Sequence, residues 1–119
     1  MTASWWVAIA LAAVYAPAGL LKLIVPKSQL LSRPQFGWAA AVSDQTVKLI
    51  GAAEVLGAIG VIVPKLTGIA PGLGVLAAWG LVAIQVGAIV VHGRRREFAT
   101  LPINVVLLIL AVALGAGLV

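Results

Sequence analysis

Thr46–Val63 reads TVKLIGAAEVLGAIGVIV. Apart from Lys48 near its start and Glu54 in its middle, every side chain after the first threonine is apolar or absent. A helix needs about 17–25 such residues to cross roughly 30 Å of hydrocarbon. Three more runs share this character: about Ser4–Val25, about Pro71–Val91 and about Leu101–Val119. The second run, about Thr46–Val63, is the shortest, and Pro64 marks its end. The pattern predicts an all-α chain, a four-helix transmembrane bundle forming a single domain over residues 1–119.

Composition leads to the same place. Of 119 residues, 63% are hydrophobic and 9% charged, against about 25% charged in soluble domains. So short a chain could not cover its own apolar surface in water; a bilayer removes the need. The net charge of +5 could suggest nucleic acid in a soluble protein. Here no basic stripe interleaves with aromatics, and the cations fall between apolar runs, so nucleic acid is not an expected partner. The chain has no cysteine, which excludes disulfide exchange, thiolate catalysis and iron–sulfur ligation within it. A single histidine, His92, cannot make a bis-histidine haem site in one copy.

Charge asymmetry predicts orientation. Lys27, Arg33 and Lys48 flank loop one, and Arg94, Arg95 and Arg96 lie in loop three, while the opposite side carries Lys65 alone. Cationic loops stay in the cytoplasm, so loops one and three are expected inside and both termini outside, in a bacterial plasma membrane. Trp5 and Trp6 fit an outer aromatic belt; Phe98 and Trp38 fit an inner one. The first run lacks a basic leader region and carries Lys22 within it, so it reads as a retained span rather than a signal peptide. Loop one, about Pro26–Gln45, reads as an interfacial segment. Small residues (Gly51, Gly57 and Gly60 in the second span; Gly72, Gly80 and Gly87 in the third) allow close helix approach in lipid.

Five polar side chains interrupt the spans: Lys22, Glu54, Gln85, His92 and Asn104. An ionisable group near the bilayer centre costs on the order of 2.5–3.5 kcal/mol and survives by facing inward and pairing. Counted at 1.5 Å per residue, all five fall within roughly 12 Å of the loop-one and loop-three side. Gln85 shares a helix face with His92, and Tyr15 with Lys22, each seven residues apart. Glu54 needs a cation or a proton, and Lys22 and His92 are the expected partners. Glu54 and His92 are therefore the catalytic candidates. Lys22, Gln85, Asn104 and Tyr15 are candidates for a ligand-binding or structural pocket. No metal-spaced set is present, and no cofactor is identifiable from these residues.

The stretches Ala18-Gly19-Leu20-Leu21-Lys22-Leu23 and Lys48-Leu49-Ile50-Gly51-Ala52-Ala53-Glu54-Val55-Leu56-Gly57, with His92 closing the third span and Asn104 opening the fourth, resemble the DoxX-like family of small four-helix membrane proteins. The resemblance covers nearly the whole chain and implies Lys22, Glu54, His92 and Asn104 as the polar positions. Some relatives are described as subunits of thiosulfate:quinone oxidoreductase or of other membrane oxidoreductase assemblies. It thus implies an oxidoreductase-associated subunit whose inner-leaflet pocket binds a quinone-like or other apolar small molecule. Partners would be the bilayer, that small molecule, further copies of the chain or oxidoreductase subunits.

Other readings stay open at this point. The chain could be a non-catalytic assembly subunit with Lys22 and Glu54 as a buried latch. It could be an enzyme doing acid–base chemistry on a lipid-soluble substrate. A small proton-coupled transporter is a further alternative, although small multidrug-resistance exporters carry their essential Glu in the first helix, where this chain has Lys22.

Overall fold

The structure is a computed structural model that describes residues 2–119. It is all-helical, with no strand among the described residues. Helix α1 spans Ala3–Ile24, the single turn α2 Lys27–Leu30, α3 Asp44–Thr67, α4 Pro71–Arg94 and α5 Leu101–Gly115; a 3-10 helix, Pro34–Ala41, lies between α2 and α3. Helices α1, α3 and α4 are long and apolar enough to cross a membrane. The molecule measures 40 × 26 × 19 Å, and its long axis matches a bilayer of about 40–45 Å with headgroups. Large apolar side chains such as Leu56, Leu66, Leu76 and Ile109 point outward. That much exposed apolar surface is what lipid, not water, solvates.

Two boundaries differ from the sequence expectation. α3 runs through Pro64 to Thr67 instead of stopping at Val63. Proline removes one amide donor from the helix interior, but here it falls in the last turns, and its carbonyl still accepts from Gly68 N–H at 2.9 Å. Gly68, with φ 69°, is the stop. α5 ends at Gly115, short of Val119. Gly117 takes φ 72°, and Leu118 N–H reaches back to Ala113 O at 2.9 Å, closing the helix with a Schellman turn. At 1.5 Å per residue its 15 residues rise roughly 22 Å. The four-helix expectation thus resolves into three span-length helices and one shorter apolar helix.

The helices pack in the order α1, α3, α4, α5, with α5 only lightly touching α1. The tightest crossing is α1 on α3. A Cβ built at Gly19 would lie 2.6 Å from Gly51 O, and one at Gly51 would lie 2.7 Å from Gly19 O. Only glycine permits that backbone approach. The apolar core (Ala8, Leu11, Ala58, Val61, Leu81, Ala111) fills the bundle toward the N-terminus of α1. On α4 the small residues divide. Ala78 is buried, whereas Gly72, Gly80 and Gly87 have nothing within 4 Å of a Cβ position, so they bring no helix close.

The connection between α1 and α3 folds back on the bundle. Leu30, Phe36, Ala39 and Val47 bury one another, and Lys27 Nζ donates to Val42 O. Ser43 caps α3 by accepting from Thr46 N–H at 3.1 Å. At the opposite end Lys65 Nζ donates to Ser4 Oγ at 2.8 Å and lies 5.2 Å from the Trp5 ring centroid.

Candidate functional site

The glycine crossing of α1 and α3 places the site's charges. Lys22 is three residues beyond Gly19 and Glu54 three beyond Gly51, so each lies on its crossing face, one turn away. Lys22 Nζ is 2.6 Å from Glu54 Oε1, and both side chains are buried. The contact is a buried ion pair, and no other group among the described residues hydrogen-bonds that oxygen. Lys22 Nζ also lies 5.5 Å from the Phe36 ring centroid, so the interfacial segment covers the cation with a π face.

This pair sits in the wall of a cavity of about 690 Å³. Tyr15, Lys22, Glu54, Gln85, His92 and Asn104, all six residues singled out from sequence, line it, and Phe36 and Trp38 of the interfacial segment complete it. All four long helices contribute. Apart from Thr100 and Gly87, the rest of the lining is aliphatic, including Val14, Ile84 and Leu107.

The polar groups are incompletely matched. Tyr15 Oη donates to Gln85 Oε1, two helices sharing one bond across the core. Gln85 Nε2 and Asn104 Nδ2 are buried and have no partner among the described residues. Whichever way the Gln85 amide is turned, one of its polar ends stays unmatched. Buried polar groups in proteins are almost always satisfied, and each exception needs an explanation. Both residues line the cavity, so two unmatched amides sit in its wall. A second cavity of about 230 Å³, near Ser4, Lys65 and Pro71, holds no comparable cluster.

His92 stands at the rim and pairs with Glu97 rather than Glu54. Its Nδ1 is 3.1 Å from Glu97 Oε1, which also accepts from Arg95 Nε at 3.0 Å. Partial desolvation pushes the Glu97 carboxyl up, but the hydrogen bonds from His92 and Arg95 and their charges outweigh it. The net effect holds it below the usual carboxylate range. Sequence reasoning missed Glu97, Arg95 and Phe36. The signal for Glu97 was its position five residues after His92 beside the arginine run. What brings it back is a left-handed residue, Arg96, with φ 56°, which lets Glu97 N–H bond His92 O at 2.9 Å.

Among the described residues no three His, Cys, Asp or Glu side chains gather as a metal set. The arrangement offers a buried carboxylate, a rim imidazole and two unmatched amides around an apolar space.

The model of the DoxX-like family matches residues 6–114, and the chain belongs to that family. No curated protein and no solved structure matches it.

Proposed function

Starting from its place in the DoxX-like family, we propose that this integral membrane protein is an oxidoreductase-associated subunit whose cavity holds a quinone-like molecule. The observation that carries this reading is the pair of buried, unpartnered amides of Gln85 and Asn104, two residues that line one largely apolar cavity. A quinone ring brings carbonyl oxygens that accept such donors and a body that suits aliphatic walls. Glu54 and His92 then exchange protons as the guest is reduced or oxidised, and Lys22 governs how readily Glu54 takes one up. The redox chemistry belongs to the guest and to a partner subunit; the chain supplies binding, orientation and protons. In this reading that end of the cavity is cytoplasmic and both termini lie outside, which the six cations near loops one and three support.

A second reading draws on the same crossing. Gly19, Gly51 and the Lys22–Glu54 pair together make a latch that fixes helix register, which suits a purely structural subunit. A latch alone leaves the two amides unexplained.

The deciding experiment is native mass spectrometry of the purified chain, followed by titration with decylubiquinone monitored by tryptophan quenching through Trp38. A co-purified quinone, or saturable quenching weakened in E54Q, supports the ligand reading. Loss of melting temperature in E54Q with no quinone binding to the wild type favours the latch.

A further inference from the structure

We infer that Glu97, held by Arg95, is a positioning residue that fixes the His92 imidazole with its proton on Nδ1, so that Nε2 offers the cavity a lone pair. The inference deepens the ligand reading above by giving the site an acceptor to set beside its amide donors.

Three observations converge on it. Glu97 Oε1 faces His92 Nδ1 at 3.1 Å and Arg95 Nε at 3.0 Å. A carboxylate can only accept, so a neutral imidazole facing one must bring its N–H at that nitrogen. The ring's other nitrogen is then its acceptor, and the hydrogen bond made by one nitrogen sets the role of the other. Second, the backbone holds both residues in place. Glu97 N–H bonds His92 O at 2.9 Å and Arg96 N–H bonds Gly93 O at 3.1 Å, a Schellman turn whose left-handed position is usually glycine. Here it is Arg96, and a strained residue persists where its surroundings over-determine it. Third, Arg95 ties the pair to the cavity's cover. Its Nη2 would lie 2.7 Å from a Cβ built at Gly37, and the neighbouring Phe36 and Trp38 line the cavity with His92.

Gln85 and Asn104 then donate while His92 accepts. That set fits a lipid-soluble guest carrying both a carbonyl and a hydroxyl, or one that interconverts them. Imidazole Nε2 accepts a hydrogen bond from the guest's hydroxyl, whose O–H bond stays intact, and Glu97 holds the ring in that role.

The chain has one histidine, so the test is unambiguous. The protein, labelled with ¹⁵N-histidine, is examined by NMR in detergent at mildly alkaline pH. The expected spectrum shows Nδ1 in the proton-bearing range and Nε2 in the lone-pair range. E97A loses this and shifts toward Nε2–H, the form free histidine favours, while E97Q, which keeps an acceptor oxygen, recovers most of it. Circular dichroism checks that both variants stay helical. A wild-type ring protonated on Nε2, or an E97A spectrum matching wild type, overturns the inference. Trimethylhydroquinone then shifts Nε2 and leaves Nδ1 in place; no shift at saturation overturns the acceptor role. If no quinone or hydroquinone binds, the ligand reading and the acceptor role fail, while the tautomer result stands on its own.

Discussion

Gly19 and Gly51 meet backbone to backbone, and one turn beyond each of them stands one half of the Lys22–Glu54 ion pair. The crossing and the pair are therefore one device. Neither glycine can be enlarged without pushing the charges apart.

G51A and G19A should each lower the stability of the purified chain by about 1–3 kcal/mol, the usual cost of overpacking. Gly57 meets the flexible end of Leu81 rather than backbone, so G57A should cost less. Thermal unfolding in detergent reads the difference. Equal losses at all three positions would mean that the backbone contact has no special weight.

Removing one partner of the buried pair should cost more than removing both. K22M strands a carboxylate in hydrocarbon, and breaking such a pair costs about 3–5 kcal/mol. The double variant K22M/E54Q has no stranded charge and should recover much of that loss. Melting temperatures for the two single variants and the double give the coupling directly. Strictly additive losses would show that the two side chains do not depend on each other.

N104L removes a buried amide that has no partner, so its melting temperature should hold or rise. Decylubiquinone affinity should fall by up to about tenfold, since one neutral hydrogen bond contributes about 0.5–1.5 kcal/mol. Q85L is a less clean probe because it orphans Tyr15 Oη. Undiminished quinone affinity in N104L would remove the amide from the site.

Glu97 gives the α4–α5 connection a pH dependence whose sign is fixed. Its carboxyl lies below the ordinary value of 4.5 in the folded chain. The stabilisation is therefore complete above that value and lost as pH falls through the folded one. Protection of the amides from 95 to 100, taken relative to their intrinsic exchange at each pH, should fall on acidification below about pH 4.5 in wild type, and in E97Q it should show no such step. An identical profile in E97Q would assign the change to another group.

Arg96 occupies a left-handed position that costs a residue with a Cβ about 1–2 kcal/mol. R96G should raise the melting temperature, with a net stabilisation of about 1 kcal/mol after glycine's entropy is counted. A drop instead would show that the arginine side chain contributes more than its backbone strain costs.

Much of this was legible in the sequence because bilayers enforce simple rules. Runs of about twenty residues with one or two polar interruptions leave few options, and Lys22, Glu54, Gln85 and Asn104 had to face inward. Their meeting in one cavity followed from depth and helical period alone. Helix ends were harder to read. Pro64 looked like a stop, but a missing donor near a terminus is tolerable, and the terminator was Gly68. Partner choice was harder still. His92 was matched with Glu54 by charge, whereas a single left-handed backbone turn at Arg96 brings Glu97 nearer. Such a turn leaves no mark on hydropathy. The glycines of α4 show the opposite error: composition suggested packing, but Gly72, Gly80 and Gly87 meet no neighbouring helix, and Gly87 borders the cavity.

The shortness of α5 bears on where such a chain can reside. A rod of 15 residues falls several ångströms below the mean hydrocarbon thickness, and each ångström of mismatch costs a fraction of a kcal/mol. Were α5 to cross, the surrounding acyl chains would have to compress toward it, pulling the polar boundary down beside Asn104 and the cavity. Short-chain lipids relieve that compression and long-chain lipids sharpen it. Membrane thickness would thereby become a variable that sets how close water comes to the cavity.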